Sequence, residues 1–375
     1  MLSKLIILYN CITNQEKRFH DGNFLEKEKR NIRGKTQMKK LLALMALSIV
    51  LLLAACGGGD SESGESGGGS KYLTIATASS GGTYYPIGVG LGNLWTEQLG
   101  DEGINATGQS SAGSVENIDL LRNGEADLAI LQGLIGAQAV EGTGNFEGNT
   151  YDDLRSISML WPNVEHFVLM NDKVDTGTIS DIEGNTFSVG PQASGTEQST
   201  LVMMEGVGLT KDNITPEYLG YDDTISAMRD GRLDGGSVPA GIPVAAVMDM
   251  YASGVKATVL DVTDEQLEAI NSIYNTWYRF VIPEDTYDGV GEINTIAQPN
   301  FLAVSKDMDE ETAYLLTKTM YENLEQVHEI HNSAKDMSLD NALDGLPAPL
   351  HIGAYKYFEE QGLEIPEHLI PAEAE

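Results

Sequence analysis

Two short stretches of small and hydroxylated residues carry the chemistry of anion capture. The first is Ser79-Ser80-Gly81-Gly82-Thr83-Tyr84, placed after a β-rich run at 73–78. It precedes Ile87, Leu91, Leu94 and Trp95, which fall on one face of a helix. The second is Ser194-Gly195-Thr196, embedded in the same order of parts over 187–209. A strand, a Ser/Gly/Thr turn and a helix N-terminus aim free N–H groups, and a partial positive charge, beyond the strand's end. Gly82, Thr83 and Tyr84 would then offer N–H, hydroxyl and ring to a ligand, and Ser194, Gly195 and Thr196 would offer the matching groups. Each set has a plain structural alternative: Thr83 as a helix cap, and Ser194 with Glu197 as a capping box.

Further polar residues fall near these loops. Ser111, Ser114 and Asn117 open the next helical segment, where Ser111 or Ser114 would serve as a cap. Gln132 follows the run ADLAIL at 126–131, at the carboxyl end of a strand, where open α/β sheets place ligands. Its amide can accept from an ammonium and donate to a carboxylate. Glu165 and His166 lie at an expected crossover between lobes, and Glu165 reads as a surface carboxylate, with a ligand ammonium as the alternative. Tyr278 and Arg279 mark the return crossover. Arg279 would either clamp a carboxylate or form a structural ion pair.

Other chemistries find no support. Neither Gly-rich loop contains Lys or Arg and the Walker spacing is missing, which disfavours a nucleotide phosphate. His328 and His331 are spaced i, i+3 and read as exposed helix residues, so no metal and no cofactor are expected. His351 lacks a marked Ser/Asp partner and would order its turn. An exported lipoprotein hydrolase using His351 or His166 is the competing class, and a ligand-sensing binding protein not coupled to transport is a further alternative; a non-enzyme is favoured.

The elements around these residues alternate between strand-like and helix-like from about 72 to 260, which indicates an α/β architecture. Two β-rich runs appear within 151–170, broken at Pro162-Asn163. Helices are expected at 264–273, 309–330 and 354–361, with a loose acidic tail at 366–375. The segment 117–130 is echoed by 224–237: an amphipathic turn, an Arg, an Asn/Asp-Gly stop and an acidic residue entering a strand. Each copy follows its own strand–loop–helix unit, so two similar lobes are the economical explanation.

The N-terminal part differs sharply. Residues 1–55 hold ten Lys/Arg and four Asp/Glu, a net of +6 against −33 for the 375-residue chain, leaving −39 on the remainder. That surface repels nucleic acid and anionic lipid. It also predicts relief of self-repulsion by salt, as in a halophilic or alkaliphilic source. The melting temperature should therefore rise between low and molar salt, and a flat response would refute the idea. Met38-Lys39-Lys40 followed by an apolar run to Ala55 has the form of a secretion signal, too short for a comfortable membrane span. It ends in Leu53-Ala54-Ala55-Cys56, a lipobox pattern that implies lipid attachment at Cys56. Residues 1–37 then read as an upstream mis-start. With Cys11 removed and Cys56 acylated, the exported body keeps no thiol. Residues 57–70, GGGDSESGESGGGS, read as a flexible tether.

Three runs, SSGGTYYPIG at 79–88, DIEGNTFSVGPQASGTE at 181–197 and PLHIGAYKYFEEQG at 349–362, resemble the TAXI family, the TRAP-associated extracytoplasmic immunogenic proteins. The likeness spans nearly all of 72–362. It departs at Pro191-Gln192-Ala193 and at Ile352. The resemblance implies a two-lobed periplasmic-binding-protein-like fold with a hinged interdomain cleft. Its lobe I would comprise 71–167 and 270–375, and its lobe II 168–269. It also implies capture of a small carboxylate, such as a glutamate- or glutamine-like amino acid or a dicarboxylate, for delivery to the membrane permease of a TRAP transporter. A monomer is expected, exported and either held to the outer face of the cell membrane only through its lipid or in the periplasm.

Overall fold

The computed structural model describes residues 70–374. The signal sequence, Cys56 and all but the last residue of the tether lie outside the described residues.

The first lobe opens with β1 (Lys71–Ala76), α1 (Tyr84–Leu99), β2 (Ile104–Gln109), α2 (Ser114–Arg122), β3 (Leu128–Gln132) and α3 (Gly133–Glu141). The long strand β4 (Leu154–Val164) leads into β5 (Phe167–Met170). The second lobe continues with β6 (Thr186–Ser188), α4 (Gly195–Gly206), β7 (Thr215–Glu217), α5 (Tyr221–Arg229), β8 (Gly235–Ser237), α6 (Ala245–Ala252), β9 (Ala257–Val259) and α7 (Asp264–Asn271). The chain returns through β10 (Tyr278–Ile282), β11 (Ile293–Ser305), α8 (Glu310–Glu322), α9 (Leu324–Ile330) and α10 (Ile352–Glu360).

Two sheets result. One runs β10-β11-β3-β1-β2, with β4 also paired to β11; the other runs β7-β6-β8-β5-β9. Each contains the same parallel trio, β2-β1-β3 in the first and β7-β6-β8 in the second. The fold is a two-lobed α/β architecture.

The internal echo in sequence has a physical counterpart. Asp127 Oδ2 accepts the N–H of Thr74 at 2.7 Å, and Asp234 Oδ2 accepts the N–H of Thr186 at 2.9 Å. In return, Asp127 N–H donates to Thr74 O and Asp234 N–H to Thr186 O, both at 2.9 Å. The glycines before them, Gly124 and Gly231, end α2 and α5 with φ of 68° and 70°, a region where a side chain would be strained. Each acid thus clamps the start of the neighbouring strand. Asp127→Ala and Asp234→Ala should each cost about 1 kcal/mol, the usual net worth of such a bond, read by urea unfolding. Equal stability of both variants and the parent would show that the clamps contribute nothing.

Apolar faces seen in the sequence pack as expected for helices on sheets. Ile87, Leu91 and Trp95 are fully buried, and the Trp95 indole donates to Leu316 O at 3.0 Å. Met203 and Met204 are core, as is Met250, whereas Met248 is half exposed.

Several expectations need correction. Pro162-Asn163 does not break the strand. The edge-to-edge pairing with Pro299 and Gln298 keeps β4 continuous to Val164, and the change of sheet falls at Glu165-His166. The helix expected over 309–330 divides at Asn323, whose φ and ψ (−118° and 32°) leave the helical range. The tail is not loose. Leu369 is fully buried and receives the Leu350 N–H, and Glu373 pairs with Arg155 at 2.7 Å.

Candidate functional site

The two helix N-termini singled out in sequence meet across the gap between the sheets. On the first-lobe side lie Gly82, Thr83 and Tyr84 at the start of α1, Gly113 and Ser114 at the start of α2, and Gln132 at the end of β3. Facing them are Ser194, Gly195 and Thr196 at the start of α4 and Tyr221 at the start of α5. Helix starts leave N–H groups without intrahelical partners, so four such termini converge on one spot. The residues lining it are uncharged throughout.

The lobes are closed on each other. The Glu116 N–H donates to Ala193 O at 3.0 Å, and the Gly241 N–H donates to Thr83 Oγ1 at 3.1 Å. A Cβ on Gly195 would stand 2.5 Å from Gln132 Oε1 and 2.9 Å from Ser114 Oγ. The space left between the lobes is ≈ 30 Å³, the scale of a few water molecules. A solute of amino-acid size can enter only when the lobes part.

Eight of the ten residues read from sequence line this space; Ser111 and Asn117 do not. The reason is local. The fully buried Asn117 amide donates to Thr77 O at 2.7 Å and Ile130 O at 2.9 Å, while its oxygen accepts from Ser111 Oγ at 2.6 Å. Both side chains are spent on tying α2 to the ends of β1 and β3. Neither Ser111 nor Ser114 caps α2, whose N-cap is Gly113. Ser114 Oγ instead accepts the Gln132 N–H at 3.1 Å.

The hydroxyls are also more occupied than their types suggest. Ser194 Oγ accepts from Glu197 N–H at 3.0 Å and donates to Pro191 O at 2.6 Å. The Glu197 carboxylate reaches Ala193 N–H rather than that of Ser194, so the capping box is displaced by one residue. Tyr221 O–H donates to Pro239 O at 2.6 Å, so its oxygen receives the hydroxyl of Thr196 at 2.9 Å. Tyr84 O–H donates to Asn300 Oδ1 at 2.5 Å. Burial raises the pKa of both phenols, which keeps them neutral donors. What remains open toward the space is backbone N–H, together with two buried amides. Gln132 Oε1 and Asn163 Nδ2 have no protein partner.

Glu165 lies between β4 and β5 and is fully buried, contrary to the reading of a surface carboxylate. Its Oε1 accepts from the Trp277 indole at 2.9 Å and from Gln298 Nε2 at 3.2 Å. Burial pushes its pKa up to about 7, only partly opposed by these two donors. His166 is buried beside it, with Nε2 at 2.8 Å from Tyr287 O–H and Nδ1 at 2.9 Å from Val164 O. Desolvation takes its pKa down to about 4, so the ring is neutral. Arg279 is a structural residue, not a clamp. It bonds Asp264 at 2.7 Å and the carbonyls of Val262 and Thr295. His351 caps α10 through Nδ1 and meets Met308 O with Nε2, which orders the turn. Among the described residues, no group of three His, Cys, Asp or Glu side chains is arranged to hold a metal.

Tyr221, Asn163 and Ala193 were not singled out by sequence. Tyr221 was within reach, because the echo pairs the start of α5 with the start of α2, and so pairs Tyr221 with Ser114. Asn163 was hidden by its proline neighbour. Ala193 adopts φ of 61°, a conformation unusual for a residue with a side chain, and nothing in its type announces that.

Fold and site together define a two-lobed α/β protein with an uncharged, N–H-lined cleft between its lobes. Residues 75–362 match the NMT1-like family, and the chain belongs to that family. Similar solved structures include the periplasmic aliphatic sulphonate binding protein SsuA from Escherichia coli, 14% identical over 77% of this chain and 83% of its own, with a TM-score of 0.42. A putative L-cystine ABC transporter structure from Listeria monocytogenes is 14% identical over 72% and 98%, with a TM-score of 0.44. A TRAP periplasmic solute binding protein from Anaerococcus prevotii, with bound D-glucuronate, is 12% identical over 78% and 86%, with a TM-score of 0.40.

Proposed function

We propose that this chain is an extracytoplasmic solute-binding receptor that captures a small carboxylate by lobe closure and delivers it to a TRAP-type permease. The observation that carries the reading is the convergence of helix N-termini from both lobes on one uncharged cleft. Such termini attract an anion without a basic side chain, and a carboxylate bridging them favours the closed form over the open one. That difference is what a permease can sense, because closure creates a surface shared by both lobes. Gln132 and Asn163 would pair with the polar remainder of the solute. Gly82, Thr83, Tyr84, Ser114, Ser194, Gly195 and Thr196 would surround it, with Thr83 acting through its closure bond to Gly241. The lipid at Cys56 and the tether would keep the body near its permease. Among the described residues, no helix is long and apolar enough to cross a membrane.

Native mass spectrometry of the purified protein, followed by thermal-shift titration with amino and dicarboxylic acids, tests this. A stoichiometric carboxylate that raises the melting temperature is the expected result. Turnover of an ester or phosphate with no stabilising solute would overturn it.

A further inference from the structure

Glu165 occupies the point where the chain first leaves one lobe for the other. It is the residue directly after β4, and β5 of the second sheet begins two residues later. Its backbone is anchored to β11, with N–H to Ile296 O at 2.9 Å and O accepting from Thr295 Oγ1 at 2.8 Å. Its carboxyl binds Trp277, on the return crossing just before β10. One carboxyl therefore ties the outgoing segment, the returning segment and the long strand of the first lobe. The other oxygen, Oε2, is buried and has no partner.

The carboxylate also lies close enough to Tyr84 of α1 and Tyr221 of α5 to raise both of their pKa values. The residues on either side of it, Val164 and His166, hydrogen-bond Ala240 and Val238, which follow β8 of the second sheet, so the carboxyl sits at the joint between the two sheets. A buried, half-paired carboxylate is costly, whereas the neutral acid is not. Parting the lobes would admit water to that oxygen and remove most of the cost.

We propose that Glu165 is a proton-operated strut of the hinge, which holds the lobes closed when neutral and favours their separation when ionised. This regulates the cleft described above and rests on the receptor reading for its purpose, not for its test. The neighbouring groups do not compete. His166 on the same segment stays neutral above its lowered pKa, and both tyrosines stay protonated because theirs are raised. Trp277, Gln298 and Thr295, which face Glu165 from the return segment and β11, do not titrate. The sign follows from the direction of the shift. A carboxyl whose closed-state pKa is raised to about 7 favours the closed form fully below the ordinary range near 4.5, and that advantage is lost as pH rises through neutrality.

The test needs no solute. Trp277 is one of three tryptophans, so its indole N–H signal can be assigned in a nitrogen-15 spectrum by comparison with Trp277→Phe. In the intact chain that signal should titrate with a midpoint near neutrality. The radius of gyration from small-angle scattering should rise over the same interval, the closed-to-open ratio falling by up to ~tenfold per pH unit. Glu165→Gln should abolish both changes and stay closed. Trp277→Phe removes a donor to the carboxylate and should move the scattering midpoint to higher pH. It also serves as the test should Glu165→Gln fold poorly. A Trp277 signal that is flat from roughly pH 5.5 to 8.5, a range spanning the expected midpoint, overturns the proposal. So does an unchanged scattering transition in either variant. If the titration is present but no solute ever binds, the receptor reading fails and the strut stands.

Discussion

Gly195→Leu should weaken solute capture on the order of 100-fold while leaving both lobes folded. The closed cleft brings α4 so near to β3 and α2 that even one added carbon at Gly195 falls 2.5 Å from Gln132 Oε1, 2.8 Å from Gln132 Cδ and 2.9 Å from Ser114 Oγ. The Gln132 side chain can swing aside. Ser114 cannot follow as easily, because its hydroxyl receives the Gln132 N–H and it begins a helix. A leucine would hold the lobes apart and break the Glu116 to Ala193 bond that joins them. Apparent affinity scales with the fraction of molecules able to close, so a 100-fold loss of that fraction should weaken binding on the order of 100-fold. The added side chain projects into the gap rather than into either core, so the unliganded melting temperature should stay near that of the parent. Gly195→Ala should show a smaller loss in the same direction. Titration with the solute found by mass spectrometry reads the effect, and scattering should report a radius that no longer shrinks on adding it. Parent-like binding by Gly195→Leu would show that closure does not bring these groups together.

Gly353→Ala should give a large loss of stability for a small chemical change. Gly353 lies in the first turn of α10, where the sequence run PLHIGAYKYF places it two residues after His351. There α10 crosses α8 backbone to backbone. A Cβ would sit 2.4 Å from Glu310 O and 2.6 Å from Tyr314 N, main-chain atoms that cannot rotate away. Either the helices separate or the first turn of α10 unwinds. The first course opens the contact among Tyr314, Tyr321, Tyr357 and Phe358; the second releases His351 from its cap of Gly353. Overpacking of this kind costs about 3 kcal/mol, which should lower the melting temperature by about 5 °C. The change is far from the cleft, so solute affinity measured well below the transition should be unaffected. A melting temperature equal to the parent's would mean that α10 is free to shift, contrary to its burial.

These two glycines show what could and could not be read from the chain alone. Gly195 was singled out in the sequence, whereas Gly353 only lies within the run 349–362 that carries the family resemblance. Only the close approach of a second element, from α2 and β3 in one case and α8 in the other, says what each glycine makes room for. Asn117 and Ser111 illustrate the opposite error. Their types and position beside the first loop suit a ligand, yet the ends of β1 and β3 present carbonyl oxygens that claim them first. Arg279 likewise finds Asp264 and two carbonyls before it can find a ligand. Glu165 misled in the other direction. In so acidic a chain a carboxylate is expected at the surface, and nothing local signals that two crossings and a long strand close around it.

The sequence by itself determined the α/β class, the duplicated strand–loop–helix units and eight of the residues around the cleft, because these follow from apolar periodicity, helix-start chemistry and an internal repeat, all of them local. The tertiary structure alone decided which hydroxyls were already engaged, which acid was buried, and that the two loops face each other in a closed cleft. The buried acid and the closed cleft depend on groups distant in the chain meeting, as Trp277 does with Glu165 and Gly241 with Thr83, and no short-range pattern encodes such a meeting.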